Sequence, residues 1–275
     1  MNRDTLQLLR DPATHTPLAL TYLEDGTECL ADETSGALYP VRNGVPCFLD
    51  SESVAGSNRK YRRMYNLLSP FYDFVTRTAI VLMGASEEDV RHEFLSELEI
   101  KPGDRVLEVS VGTGSNLRYL PRSARYYGLD ISEGQLKQCR KTLKQIGLQA
   151  DLFLGTAEKL PFEDNSFDVV FHMGGINFFS NPAAAVCEMY RVAKPGTKMI
   201  IVDETDRFTK KLAKIPIVRA FFKSDDQVTV PDIYVPEDAR DTETKELFNG
   251  RLWYLGFRKA PARVQPAAVP TDLLQ

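Results

Sequence analysis

Residues 105–120 read RVLEVSVGTGSNLRYL, and residues 128–130 read GLD. The apolar run at 106–111 is typical of a buried parallel strand, because strands covered on both faces read as nearly continuous Val, Ile and Leu. Residues 112–114, Gly-Thr-Gly, predict a tight turn, and residues 114–120 are expected to open a helix. The stretch therefore predicts a strand, a glycine loop and a helix in succession.

The residues around this loop indicate the kind of ligand that it binds. Asp130 ends a second predicted strand and lies 22 positions after Glu108, close to the spacing at which an acidic residue binds a ribose. Ser110 and Ser115 stand where a dinucleotide-binding loop has its first and last glycines, so the loop suits a pyrophosphate poorly. Glu108 would repel phosphate and attract an ammonium group. A cationic amino acid joined to a nucleoside fits better.

Five segments resemble, in order and in spacing, the motifs of class I S-adenosylmethionine (SAM)-dependent methyltransferases. The first two motifs are similar to residues 106–114 and 128–132. The third and fourth are similar to residues 156–162 and 166–170, and the fifth to residues 188–201. Each motif alone is weak, but five in order are specific.

The resemblance implies SAM as the cofactor and a set of residues that bind it. The 112–114 loop would pass under the methionine part, Asp130 would accept bonds from both ribose hydroxyls, and Ile131 and Gln135 would flank the adenine. Thr156 stands where the family commonly has an acidic residue that accepts from the adenine amino group, so this bond is expected to be weaker. The implied cofactor-binding residues are Glu108, Ser110, Gly112, Thr113, Gly114, Asn116, Asp130, Ile131, Gln135, Thr156, Ala157 and His172.

The fold class predicted is α/β, with a doubly wound parallel sheet, because strand and helix patterns alternate from residue 105 to 205. Strands are predicted at 105–109, 126–129, 151–154, 167–172 and 197–203, and helices at 114–120, 132–146 and 181–193. In residues 242–258, two strand-like runs flank Asn249-Gly250, which favours a two-residue hairpin turn. The resemblance implies a seven-stranded, mostly parallel sheet that ends in this antiparallel hairpin, which dinucleotide-binding domains usually lack.

Length and composition predict a protein of ordinary globular type. The chain has 275 residues, of which 43% are hydrophobic and 26% charged. A net charge of -4 gives no general attraction for nucleic acid, so no nucleic-acid partner is expected. The sequence has no apolar run of the ~20 residues that span a membrane and no apolar signal core, so a cytoplasmic location is expected. The scattered cysteines are expected to be free thiols.

Residues 1–50 predict a small β-rich module in front of the main domain. Its frame resembles the zinc-ribbon module found before some methyltransferases and in an activator of tRNA methyltransferases. Where that pattern has four cysteines, this chain has Asp11, Thr14, Asp32 and Ser35. Because zinc needs such soft ligands, no metal is expected, and the module is predicted to pack against the main domain.

The remaining segments predict a cap over the main domain. Residues 51–100 are expected to form a linker and cap helices, and they resemble the UbiE-type branch, whose founding activities methylate ubiquinone and menaquinone precursors. In that branch a Tyr-Asp pair, here Tyr72-Asp73, lies close to the cofactor. The SAM-binding domain is predicted at 101–260 with an inserted cap at about 207–232, followed by a tail at 261–275.

The candidate catalytic residues are His172 and Tyr72. His172 follows a predicted strand at the sheet edge where ligands bind, and an imidazole there could accept a proton. The alternatives are a wall residue for His172 and a core-facing aromatic stripe for Tyr72. Asn177, Asp203 and Glu204 also lie at strand ends and could orient a substrate.

These features together predict a SAM-dependent methyltransferase that acts on a small acceptor. Aromatic residues of the cap regions indicate a hydrophobic or aromatic acceptor; they are Phe71, Tyr72, Phe178, Phe179, Phe221 and Phe222. The alternatives are an RNA or protein methyltransferase, a non-catalytic or atypical SAM-binding protein, and an NAD-dependent oxidoreductase.

Overall fold

The computed structural model describes residues 3–50, 54–82, 86–212 and 229–262. Most of the predicted cap at 207–232, including Phe221 and Phe222, lies outside the described residues, as does nearly all of the predicted tail at 261–275.

The N-terminal segment folds into a short helix and a four-stranded antiparallel sheet in the order β1-β2-β3-β4. The helix was not expected from the strand-like pattern of this segment. The elements are α1 (Arg3–Leu8), β1 (Ala19–Tyr22), β2 (Glu28–Ala31), β3 (Leu38–Arg42) and β4 (Val45–Pro46).

This N-terminal sheet is attached to the rest of the chain by backbone hydrogen bonds. The amide of Arg10 donates to the carbonyl of Pro161 at 3.0 Å, and the amide of Phe48 donates to the carbonyl of Leu154 at 2.8 Å. Leu9, Leu30 and Phe48 are buried in a core that they share with the large sheet. The small sheet therefore obtains from the larger domain the apolar burial that so short a segment lacks alone.

The four positions that correspond to zinc ligands in the related module lie together and form hydrogen bonds. One carboxylate oxygen of Asp32 accepts from Ser35 Oγ at 2.6 Å and from Thr14 Oγ1 at 3.0 Å. Asp11 accepts from the amide of Thr14 at 2.9 Å and from the hydroxyl of Tyr39, also at 2.9 Å. Within the described ranges, no group of three or more His, Cys, Asp or Glu side chains could hold a metal ion.

Two helices lead into the main domain: α2 (Gly56–Leu82) and α3 (Glu87–Leu95). Helix α2 continues through Pro70, a residue type that usually interrupts a helix. Pro70 has no amide to donate to the carbonyl of Asn66, and that carbonyl instead accepts from Ser69 Oγ at 3.3 Å.

The large sheet has seven strands in the order β10-β11-β9-β8-β5-β6-β7. Strands β5 to β9 are parallel, and β11 pairs antiparallel with both β9 and β10. The predicted sheet and its terminal hairpin are therefore confirmed. The strands are β5 (Arg105–Val109), β6 (Arg125–Asp130), β7 (Ala150–Leu154), β8 (Val169–Met173), β9 (Lys198–Glu204), β10 (Arg240–Leu247) and β11 (Leu252–Arg258).

The hairpin turn is longer than the two residues predicted. Leu247 pairs with Leu252, so four residues form the loop, and Asn249 and Gly250 have φ angles of 57° and 73°. Thr205 holds this loop, because its hydroxyl donates to the carbonyl of Gly250 at 2.8 Å. A contact from the end of the neighbouring strand β9 thus sets the loop, and sequence pattern alone does not reveal it.

In the ranges that the structure describes, three α-helices follow those of the cap: α4 (Glu133–Ile146), α5 (Pro182–Val192) and α6 (Asp206–Leu212). Ser132 caps α4 by accepting from the amide of Gln135, and Asn181 caps α5. The helix predicted at 114–120 is only a 3₁₀ turn at Asn116–Tyr119, because the chain becomes extended at Leu120 ahead of Pro121.

Strand order reverses at β5, which lies between β6 and β8. In open α/β sheets, ligands bind at such a switch point, in the crevice outside the carboxyl ends of the strands. Within the described part of the chain, no helix is both long enough and apolar enough to cross a membrane.

Candidate active site

The glycine loop after β5 takes a backbone path that favours glycine. Gly112 and Gly114 have φ angles of 56° and 75°, and Ser110 lies in the same left-handed region at 61°. A Cβ atom added to Gly114 would lie 2.8 Å from Sγ of Cys139, so α4 packs directly on the loop. Because Ser110 has a Cβ, its conformation costs about 1 kcal/mol relative to glycine.

Asp130, at the end of β6, holds the loop and the start of α4 together. Its two carboxylate oxygens accept from the amide of Gly112 at 2.9 Å and from the amide of Ser132 at 2.8 Å. Burial raises the pKa of Asp130 to about 6, although these amide bonds oppose the rise. Asp130 also lines the cavity that opens above the loop.

Glu108, on β5, is a buried carboxyl group with one satisfied oxygen. Its Oε1 accepts from Nδ2 of Asn116 at 2.6 Å, whereas its Oε2 has no partner among the residues that the structure describes. Burial raises the pKa of Glu108 to about 8, and the bond from Asn116 and the positive charge of Arg91 only partly offset that effect. In the ligand-free protein this carboxyl group is therefore largely protonated at neutral pH.

Arg91, on α3, brings a buried positive charge to the same wall. Its guanidinium donates to Oε1 of Glu87 at 2.8 and 3.0 Å and also to Oδ1 of Asn116. Asn116 thus connects Arg91 to Glu108. The side chains of Glu87, Arg91, Glu108 and Asn116 all line the cavity. The guanidinium of Arg91 and the carboxyl group of Glu108 therefore lie on either side of the Asn116 amide.

Helix α2 lines one side of the cavity and is fixed at two places. Oδ1 of Asn66 accepts from Ser132 Oγ at 2.7 Å and from the amide of Gly134 at 2.9 Å, at the start of α4. Further along, Asp73 accepts from Thr113 Oγ1 of the glycine loop at 2.5 Å. The helix is therefore bonded to both elements that would hold a nucleoside.

Aromatic side chains form the opposite part of the cavity wall. Tyr65 and Tyr72 pack edge to face, with ring centroids 5.9 Å apart. Burial raises the pKa of both phenols well above the ordinary value, so both are protonated at neutral pH. Phe178 and Phe179 line the cavity from the loop after β8.

An acidic pair lies at the end of β9. Asp203 accepts from the amides of Gly175 and Ile176 at 3.0 and 3.1 Å, and so fixes the loop that carries Phe178. Glu204 lines the cavity beside this loop. Burial and the adjacent carboxylate of Asp203 raise the pKa of Glu204 well above its ordinary value. A protonated carboxyl group is therefore available on the aromatic side of the cavity.

His172 lies behind the cavity wall. It has no exposed surface, and its Nδ1 lies 2.8 Å from the carbonyl oxygen of Val109. Its ring packs edge to face against Phe179, which does line the cavity. Burial lowers the pKa of His172, so the imidazole is neutral. This placement favours the wall-residue interpretation over that of a base in contact with the acceptor.

The structure brings most of the residues implied by the resemblance into this one cavity. Those that line it are Glu108, Ser110, Gly112, Thr113, Asn116, Asp130, Ile131, Gln135 and, among the catalytic candidates, Tyr72. Thr156 and Ala157 are buried and lie off its lining. Sequence patterns did not indicate a role for the lining residues Tyr65, Arg91 and Glu87. They also did not predict the hydrogen bond between Asp73 and Thr113.

Residues 107–201 match the model of a protein family described as "Methyltransferase domain". A ubiquinone/menaquinone biosynthesis C-methyltransferase UbiE from Burkholderia mallei (strain SAVP1) is 34% identical over 113 residues, which cover 40% of this chain and 46% of that relative. The UbiE of Burkholderia thailandensis matches equally well. The chain thus spans about half the length of the curated relatives that it matches.

Solved structures agree on the fold of the methyltransferase domain. The cyclase SpnF superposes with a TM-score of 0.51 and 18% identity, over 80% of this chain and 100% of that chain. A protein of Pyrococcus horikoshii OT3 superposes with a TM-score of 0.50 and 20% identity, over 62% of this chain and 88% of that chain. The expected class I methyltransferase fold is confirmed. The matched family model implies SAM as the cofactor.

The donor and acceptor groups of the cavity fit SAM. Besides Oε2 of Glu108, Oε1 of Gln135 is buried on the cavity wall without a partner in the described ranges. Oε1 of Gln135 accepts hydrogen bonds, as does Oε2 of Glu108 once its carboxyl group is ionised, and SAM offers an ammonium group, two ribose hydroxyls and an adenine amino group as donors. Buried acceptors without partners are costly, so a ligand that donates to them is expected to bind there.

Proposed function

We propose that the protein transfers a methyl group from SAM to a small, hydrophobic or aromatic organic acceptor. The observation that carries the proposal is the pairing of Glu108 and Arg91 through Asn116 on one wall of the cavity. The methionine part of SAM is an α-amino acid with an ammonium and a carboxylate on the same carbon. Glu108 would receive the ammonium at Oε2, and Arg91 would receive the carboxylate.

The nucleoside would lie toward β6 and α4. Asp130 would bind the ribose hydroxyls with the lone pairs that Gly112 and Ser132 leave free, and Ile131 and Gln135 would contact the adenine. These assignments are supported by the presence of all three side chains on the cavity wall. Thr156 and Ala157 lie off that wall, so any contact that they make with the adenine would need the wall to rearrange.

When bound, SAM supplies an electrophilic methyl group on a sulfonium, and the protein has to hold an acceptor in line with it and exclude water. Tyr65, Tyr72 and Phe178 form an aromatic wall that suits a flat or apolar acceptor. Glu204, whose raised pKa keeps it protonated, would donate a hydrogen bond to a carbonyl or hydroxyl oxygen of that acceptor. Tyr72 would donate a hydrogen bond, because its phenol stays protonated.

The curated relatives support the choice of a small acceptor, because their name describes methylation of carbon in quinone biosynthesis. The similarity covers less than half of those relatives, so a quinone precursor is one candidate among aromatic compounds. The acidic net charge disfavours RNA as the acceptor.

The experiment is calorimetric titration of the full chain with SAM and S-adenosylhomocysteine, followed by a radiolabel assay with tritiated SAM and a panel of hydroxylated aromatic and quinol compounds. The proposal expects binding of both nucleosides and label transfer to at least one acceptor. Absence of heat and of any thermal shift at millimolar SAM would refute it. If the chain binds SAM but transfers label only to RNA or protein, the proposed small acceptor is wrong.

A further inference from the structure

Helix α2 has two faces of opposite kind. Lys60, Arg63, Leu67, Phe71 and Phe74 recur at intervals of three and four residues, so they form one stripe along the helix, called here the outer face. On the other side of the same helix, Tyr61, Tyr65 and Tyr72 line the cavity. The apolar residues of the outer face are therefore separate from the active site.

The large apolar side chains of the outer face are exposed. Leu67 is 76% exposed, Phe71 63% and Phe74 73%. Scattered apolar residues are normal on a protein surface, but two phenylalanines and a leucine on adjacent turns form a patch. Such a patch indicates a surface that is covered when the protein works.

The charge on α2 is opposite to that of the protein as a whole. The helix contains five basic residues and one acidic residue, whereas the whole chain has a net charge of -4. The acidic residue is Asp73, whose carboxylate accepts from Thr113 of the glycine loop, away from the outer face. Lys60 and Arg63 are exposed one or two turns before Leu67. The outer face is thus a cationic and apolar strip on an acidic protein.

We propose that the outer face of α2 docks on an anionic lipid bilayer. Leu67, Phe71 and Phe74 would enter the boundary between headgroups and acyl chains, and Lys60 and Arg63 would lie among the phosphate groups. This combination of apolar and basic residues on one helical face is the one that binds membrane interfaces. The inference does not depend on the acceptor or on the proposed reaction.

The experiment is co-sedimentation of the full chain with vesicles of equal parts phosphatidylglycerol and phosphatidylcholine, and with vesicles of phosphatidylcholine alone. We expect binding to the anionic vesicles that weakens as salt is added. The triple variant Leu67→Ser, Phe71→Ser, Phe74→Ser is expected to stay in the supernatant. Lys60→Glu with Arg63→Glu is expected to reduce binding at least about tenfold, because each basic residue near the surface adds attraction.

A matched control removes exposed apolar residues elsewhere. Leu20, Tyr22 and Leu38 are 41%, 65% and 51% exposed on the N-terminal sheet, and their replacement by serine is expected to leave binding unchanged. The proposal is overturned if the wild-type chain does not sediment with anionic vesicles, or if the α2 triple variant binds as well as the wild type. It is also overturned if size exclusion shows a dimer that the α2 triple variant abolishes, because a second copy would then cover the face.

Discussion

The side-chain amide of Asn116 donates to Oε1 of Glu108 at 2.6 Å, and Oε2 of the same carboxyl group remains without a partner in the described part of the chain. Asn116 also accepts from Arg91, so it fixes the orientation of both the guanidinium and the carboxyl group. This wall of the candidate site is therefore arranged by the protein itself, with Oε2 of Glu108 left for a ligand.

Glu108→Gln is expected to weaken SAM binding by about 1–3 kcal/mol, because a charge-assisted hydrogen bond to the ammonium becomes neutral. The same substitution is expected to stabilise the ligand-free protein at pH 8. Burial raises the pKa of Glu108 to about 8, so the folded state loses stability as pH rises from about 4.5 through 8. Calorimetry and thermal unfolding at pH 5 and pH 8 measure both effects. Equal stability of the two proteins at pH 8 would contradict the account.

SAM binding is expected to release protons at neutral pH. Glu108, with a pKa near 8, and Asp130, with a pKa near 6, are partly or largely protonated without ligand, and a cation on Glu108 would favour its ionised form. Affinity is therefore expected to rise between pH 6 and pH 8. Titrations in buffers of different ionisation enthalpy count the protons, and Glu108→Gln is expected to abolish most of the release.

Arg91→Gln is expected to weaken S-adenosylhomocysteine binding about tenfold or more and to leave 5′-methylthioadenosine binding unchanged. 5′-Methylthioadenosine has no amino acid carboxylate, so the loss of the guanidinium does not change its affinity. His92→Gln is the matched control, because His92 is an exposed neighbour on the same helix. Equal losses for both compounds would show that Arg91 acts only by supporting the fold of the site.

Ser110→Gly is expected to stabilise the protein by up to about 1 kcal/mol, because the backbone at Ser110 has a φ of 61° and glycine adopts this conformation freely. The gain is limited by the greater freedom that glycine gives to the unfolded chain. Chemical denaturation measures this gain in stability. Ser115→Gly is the control, because the backbone of Ser115 is not in the left-handed region. A loss of stability would mean that the serine hydroxyl has an important partner.

Asp32→Ala is expected to lower the Tm by a few degrees, because Asp32 joins Thr14, Ser35 and the amide of Thr34 in the N-terminal sheet. These bonds hold the pKa of Asp32 below its usual range, so their contribution is full at neutral pH, begins to be lost below the ordinary pKa of 3.8, and is lost further as pH falls through the lowered value. Thermal scans at pH 7 and pH 3 test this. Glu33→Ala, at an exposed neighbouring position, is expected to have no effect.

The parts of the fold that sequence predicted well are those set by local pattern. Strand β5 follows from its apolar run, and helix α4 from Ser132 at its start, because burial and capping leave direct signatures. The glycine loop and Asp130 were predicted from residue types and spacing, and the structure brings both to one cavity, while their role in binding stays a prediction.

The parts that were missed depend on how distant segments pack. Arg91 lies in a charged stretch that resembles a solvated helix, and it is buried only because α3 packs beside Asn116. Asn66 bonds to the start of α4 from a segment nearly 70 residues away, which no local pattern reveals. The four-residue hairpin loop is bound by Thr205, the residue after strand β9, and this long-range contact also leaves no local pattern.

The measurement that tests the central claim most directly is a crystal structure of the full chain with S-adenosylhomocysteine. The account predicts the ammonium within hydrogen-bond distance of Oε2 of Glu108, the carboxylate on Arg91, and the ribose on Asp130. A ligand bound outside this cavity, or one whose ammonium lies away from Glu108, would contradict it.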